Sequence, residues 1–156
     1  MKFKRLALEE LKELEPEFIT FLASHQITAD DWVKIKSSQE EKMSELLDQF
    51  SDLVYEKVLK KINYLEHRSA KEIRLFHCGE EQITLIGIKV NPENEIDFNI
   101  GNILEQINKA ANLNTSIFSS EKKYQNDRAS EVFQLIESGC FVSDGNLFNL
   151  LMKVKK

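Results

Sequence analysis

EEKMSELLDQFSDLVYEKVLKKI, residues 40–62, and EIRLFHCGEEQITLIGIKV, residues 72–90, stand close together in the chain but carry different hydrophobic periods. In the first, Met43, Leu47, Phe50, Val54, Val58 and Ile62 recur mostly at three- and four-residue steps, widened by Leu46 and Leu53. That spacing marks one face of an amphipathic helix. It predicts a single long helix over about residues 39–63, roughly 36 Å from end to end. Ser38-Gln39-Glu40-Glu41 fits a capping box at its start, with Ser and Glu satisfying each other's free backbone N–H groups. In the second stretch the period falls to two. Ile73–Cys78 and Ile83–Val90 read as a hairpin around Gly79-Glu80-Glu81. Two registers are open, one pairing Phe76 with Ile83 and one pairing His77 with Ile83. Near Gly87 the apolar set changes parity, from Ile83 and Leu85 to Ile86, Ile88 and Val90. This implies either a bulge or a central strand covered on both faces. Beyond Asn91-Pro92-Glu93-Asn94, Ile96, Phe98 and Ile100 alternate with Glu95, Asp97 and Asn99. The expectation is a three-stranded antiparallel meander over about residues 72–100, with one polar face.

Helices flank this centre. Leu8, Leu11, Leu14, Phe18, Phe21 and Leu22 form an apolar stripe that Pro16 interrupts, so a kink or a junction of two helices is expected there. Thr28-Ala29-Asp30-Asp31 reads as an N-cap with acids in the first turn. After the meander, Asn102 caps a helix through Ala111, Thr115–Ser119 adds a short edge strand, and Asp127 or Asn126 caps a helix closed by Gly139. Residues 143–154 fit either a helix or a hairpin turned at Asp144-Gly145, with helical spacing favoured. Strands lying between two helical blocks make the class α+β, in one domain over 1–156.

The composition restricts function. Hydrophobic residues at 42% and charged residues at 30% are globular values. No apolar run nears the roughly 20 residues of a membrane span, and Glu9, Glu10, Lys12 and Glu13 fall where a signal peptide needs an apolar segment. Cys78 and Cys140 are too few for a disulfide framework and suit the reducing cytoplasm. Outside an exported protein the sequon Asn114-Thr115-Ser116 carries no meaning. The net charge of −5 and the short basic clusters argue against nucleic acid, which needs a basic footprint.

Among chemistry-bearing residues, Tyr64, His67 and Arg68 form the best cluster for ligand binding. A phenol, an imidazole and a guanidinium, with Glu66 between them, suit anion binding or proton movement. The structural alternative sets His67 and Arg68 at the C-terminus of the long helix, where cations favour the dipole. His77, Cys78 and Cys140 suggest zinc or a thiol nucleophile, but adjacent strand residues face opposite ways and no ligand motif accompanies them. No metal and no cofactor is expected. Ser138-Gly139-Cys140 and Ser143-Asp144-Gly145 read as helix caps, for the sequence holds no nucleophile elbow and no phosphate loop. The acidic first block reads as a solvated face able to meet a basic partner. Trp32 is a candidate anchor for a partner, or else pins its own helix.

Glu15-Pro16-Glu17-Phe18, Phe21-Leu22-Ala23, Ile27-Thr28-Ala29-Asp30-Asp31-Trp32, Tyr64-Leu65-Glu66-His67-Arg68, and Ser138-Gly139 with Ser143-Asp144-Gly145 together make the chain similar to a small bacterial family of uncharacterised proteins of about this length. The resemblance implies a bacterial cytoplasmic protein and supplies no activity or ligand. The expected function is that of a non-enzymatic, cytoplasmic protein-interaction or accessory protein, its partner being itself or another chain. The alternative is an anion-binding protein or modest enzyme with its site near Tyr64–Arg68.

Overall fold

Both periods form the elements they predict, although the sheet begins one strand early. The computed structural model describes residues 1–113 and 115–155. The elements in chain order are α1 (Leu8–Glu13), α2 (Glu15–Ser24), α3 (Ala29–Ser38), α4 (Glu40–Lys60), β1 (Tyr64–Arg68), β2 (Glu72–Cys78), β3 (Gln82–Lys89), α5 (Ile103–Ala111), β4 (Ser116–Lys123), α6 (Arg128–Glu137), β5 (Phe141–Val142) and α7 (Asn146–Val154). The class is α+β. Among the described residues no helix is long and apolar enough to cross a membrane. Backbone contacts divide the chain into two units, Met1–Lys60 and Lys61–Lys156.

In Met1–Lys60, Pro16 separates α1 from α2 and enters the first turn of α2, where an N–H has no helical acceptor anyway. Thr28 caps α3 reciprocally: its hydroxyl accepts the Asp31 N–H, and the Asp31 carboxylate accepts the Thr28 N–H, each at 3.1 Å. The capping box expected at Ser38 does not form. Ser38 is the last residue of α3, and its hydroxyl donates to the Lys34 carbonyl at 2.7 Å. The long helix α4 is unbroken for 21 residues, about 32 Å. Leu46, Phe50, Ser51 and Leu59 are its buried residues, while Val58 of the expected stripe and Leu53 beside it are exposed. Phe50 lies 5.0 Å from Phe18 and 5.4 Å from Phe21 between ring centroids. The N-terminal segment is tied along α4, with the Asp52 carboxylate accepting the Lys2 and Phe3 N–H groups and Ser51 Oγ accepting that of Leu6.

In Lys61–Lys156 five strands make an antiparallel sheet in the order β4-β3-β2-β1-β5. Tyr64–Arg68, expected at the end of the long helix, is instead β1; the helix stops at Lys60, and the Asn63 carbonyl already accepts the Cys78 N–H at 2.7 Å. The meander is therefore β1-β2-β3, and the third strand expected at 95–100 is a set of turns. There Asn91 and Asp97 accept the Glu93 and Asn99 N–H groups, local bonds that compete with a strand ladder. The Lys71 ammonium donates to the Asn94 and Ile96 carbonyls, each at 2.5 Å. Ile96 and Phe98 are buried as their alternation implies, but Ile100 is 64% exposed.

The β2–β3 hairpin pairs Cys78 with Ile83 and closes through the Gly79 N–H to the Gln82 carbonyl at 2.9 Å. Neither expected register is adopted, because the strands run further and leave Glu80-Glu81 as the tip. The ladder passes Gly87 without a bulge. One sheet face carries Ile73, Leu75, Ile86 and Ile88 against Ile107 and Ala110 of α5 and Phe148 and Leu151 of α7. The opposite face carries Phe76, Ile83 and Leu85 and is met by α6. Asn102 and Asp127 cap α5 and α6, and residues 146–154 adopt the helical alternative. The edge strand foreseen at 115–119 extends to Lys123. Asn114 of the sequon and Lys156 of the basic tail lie outside the described residues.

Candidate functional site

The side chains singled out from sequence do not form one group. Along β1, Tyr64, Glu66 and Arg68 share a face, so His67 points to the other. Tyr64 packs 4.9 Å from His77 and 5.6 Å from Phe148 between ring centroids. A Cβ at Gly145 would lie 2.6 Å from that tyrosine ring, and Gly145 also holds φ +85°. Arg68 pairs with the buried Glu66 carboxylate, and its guanidinium stands 6.0 Å from the Phe141 ring. An anion arriving at Arg68 would meet that buried carboxylate as well. His67 lies beside Gly139, whose Cβ would sit 3.5 Å from the imidazole.

Trp32 is half-buried in the helical unit, edge-on to Phe18 at 5.1 Å with Lys36 over its ring at 5.9 Å. His77 and Cys78 fall on opposite faces of β2. Burial pushes the Cys78 thiol up to about 11 and raises that of Cys140, which disfavours thiolate at neutral pH. Ser138 and Gly139 end α6, with Gly139 at φ +113°. Ser143 Oγ accepts the Gly145 N–H, and Asp144 accepts that of Asn146. Among the described residues no three His, Cys, Asp or Glu side chains gather as a metal set.

A different site lies on the sheet face opposite α5 and α7. Phe76 of β2 with Ile83 and Leu85 of β3 floors a recess of about 370 Å³, near the lower end of ligand-site volumes. Leu135 and Gln134 of α6, with Ser138 just past its end, make its wall; Ser120 and Lys122 of β4, with Glu131 of α6, stand at its rim. The floor side chains are only half-buried although β2 and β3 are central strands. Glu131 is 8% exposed. Its carboxylate accepts the Asn126 N–H at 3.3 Å and lies 3.7 Å from the Lys122 ammonium.

Arg128 secures the same corner. Its guanidinium donates to the Gly79 carbonyl at 3.1 Å, to that of Cys78 at 3.0 Å and to that of Ile62, while the Tyr124 hydroxyl donates to the Gly79 carbonyl at 2.7 Å. Burial raises the Tyr124 phenol, and nearby Cys78 and Glu131 push the same way. The sequence did carry a sign of the recess. Ile83 and Leu85 are the half of β3 whose parity disagrees with Ile86 and Ile88, and Glu131, Gln134, Leu135 and Ser138 recur at helical spacing.

No curated protein and no solved structure matches the chain. The model of the family described as "Family of unknown function (DUF6495)" matches residues 1–156, and the chain belongs to that family.

Proposed function

We propose that the protein acts by binding another polypeptide, in a non-enzymatic cytoplasmic role, and that the recess between β2, β3, β4 and α6 seats a side chain of that partner. The observation carrying this reading is the half-buried apolar floor of Phe76, Ile83 and Leu85 in the middle of the sheet. Where one face of an antiparallel sheet meets water its side chains are ordinarily polar, and a concave apolar floor with convergent polar groups is the usual form of a binding site. The neighbouring edge favours a polypeptide. β4 borders the sheet for eight residues, and an extended segment added beside it would direct alternate side chains toward the face bearing Ser120 and Lys122. The raised thiols of Cys78 and Cys140 weigh against covalent catalysis, and the two free cysteines suit a reducing compartment.

A photo-crosslinking side chain at Gln134 tests the reading. It should capture a discrete polypeptide, and Leu85→Glu on the recess floor should abolish that capture. The same label at exposed Leu104 should not capture it. Equal capture from positions 134 and 104, or capture indifferent to Leu85→Glu, would reject the recess as the docking point.

A further inference from the structure

We propose that the recess selects a lysine side chain of the partner, with its ammonium against Glu131 and its alkyl stem over Phe76, Ile83 and Leu85. This rests on the recess being the docking point. A carboxylate 8% exposed must be paired or well hydrogen-bonded to remain in place. Glu131 has a backbone N–H at 3.3 Å and the Lys122 ammonium at 3.7 Å, the second beyond hydrogen-bond distance. Lys122 is also 62% exposed along its side chain, so its hold on the carboxylate is loose and screened by solvent. Arg128, three residues earlier on α6, directs its donors to the carbonyls of Gly79, Cys78 and Ile62.

Glu131 therefore faces the recess with a charge that its present partners satisfy weakly. An incoming ammonium would complete the set. Its aliphatic stem matches the apolar floor, as lysine stems generally lie along apolar surface while the charged head stays polar. A ligand carboxylate would meet Glu131 unfavourably, and a neutral side chain would fill the floor while leaving the rim unchanged. A lysine on a segment lying across the rim at Ser120 and Lys122 can present both parts at once, and the net charge of −5 favours a basic partner.

The test uses the full chain, isotope-labelled, titrated with three capped peptides, Val-Lys-Val, Val-norleucine-Val and Val-Glu-Val, and with butylamine, read by amide chemical shifts. The lysine peptide should shift residues 120–122 and 131–138, and bind at least tenfold tighter than the other two peptides and than butylamine. Glu131→Gln should erase the preference for lysine. Lys122→Ala, at an exposed position, should strengthen lysine binding several-fold by removing the competing ammonium, whereas Lys109→Ala, which changes the net charge equally but lies on α5 away from the recess, should not. Lysine and norleucine peptides binding equally at the recess would overturn the ammonium site while leaving the docking reading intact. Butylamine equalling the lysine peptide would make the recess a free-amine site and overturn the polypeptide source. No shift at the recess with any probe would overturn both.

Discussion

Gly87→Ala is the sharpest test of how the sheet is built. Gly87 sits in β3 opposite Phe118 of β4 and Arg74 of β2, and an alanine Cβ there would stand 2.4 Å from the Phe118 ring and 2.7 Å from the Ile73 carbonyl oxygen. Non-bonded carbons settle at about 3.5–4.0 Å, so the ring must withdraw by roughly 1 Å or more. Phe118 is on an edge strand and can turn, at about 0.5–1.5 kcal/mol for an off-rotamer position. The Ile73 carbonyl belongs to backbone in the middle of the sheet and cannot turn. Overpacking of this kind costs about 1–3 kcal/mol, offset by about 0.4–1 kcal/mol from the stiffer unfolded chain. A net loss of about 1–2 kcal/mol follows from these two ranges. With a urea slope of about 2 kcal/mol per molar, the midpoint should fall by roughly 0.5–1 M. Trp32, the one tryptophan, belongs to Met1–Lys60, so its fluorescence reports the wrong unit; amide hydrogen exchange across residues 73–89 in a urea series reads the sheet. Phe118→Ala should relieve the ring contact alone, giving a double-mutant coupling of about 0.5 kcal/mol or more. An unchanged midpoint, or strictly additive losses, would refute the close approach of Phe118 to Gly87.

Arg128→Lys should destabilise the sheet unit by about 3 kcal/mol, since a single ammonium cannot serve carbonyls that a planar guanidinium reaches together. Protected exchange at Gly79 and Gln82 in that variant would show that the arginine does not hold the hairpin tip. For α3, hydrogen bonds from the Thr28 backbone and hydroxyl lower the Asp31 carboxyl below its ordinary 3.8. Its contribution is therefore present above that ordinary value and lost as pH falls through the lowered folded one. The stability difference between the parent and Asp31→Ala, followed by Trp32 fluorescence, should be flat above pH about 4 and shrink below it; a difference that stays constant down to pH about 2 would contradict the reciprocal cap.

Where a sequence signal was local and strong, it was legible: the stripe of α4, the Thr28, Asn102 and Asp127 caps, and the hairpin of β2 and β3. The misreadings have two causes: pairing partners that lie far away in sequence, and local hydrogen bonds that compete with the expected pattern. Tyr64–Arg68 follows a helix and contains long polar side chains, so it reads as a helix end until β2 and β5 are placed on either side. Residues 95–100 alternate correctly for a strand, and two of their three apolar side chains are buried, but Asn91 and Asp97 take the local N–H groups that a ladder would need. Ser38 satisfies the capping-box pattern, yet α3 runs up to it and uses its hydroxyl first. The candidate site depended on the β1 error. At a helix end His67 and Arg68 can converge, whereas in a strand their side chains are sent to opposite faces. Arg128 gave no sequence signal, because the carbonyls of Gly79, Cys78 and Ile62 are backbone acceptors whose positions only the fold defines.

The two faces of the sheet explain why the recess exists. Within Lys61–Lys156 the face with Ile73, Leu75, Ile86 and Ile88 is closed by α5, α7 and the buried Ile96 and Phe98. The other is met by α6, whose ten residues span about 15 Å, whereas the eight residues of β3 span about 26 Å. One short helix cannot cover the whole of that face, so Ile83 and Leu85 remain half-buried, whereas Ile86 and Ile88 on the opposite face are fully buried beneath α5 and α7. Half-buried aliphatic side chains on a central strand yield only part of the stabilisation that full burial would give. Covering them with an apolar stem recovers the remainder, and the adjacent Glu131 supplies a reason for that stem to end in a positive charge. The site thus follows from a mismatch of lengths between strand and helix, with a carboxylate held at the open end.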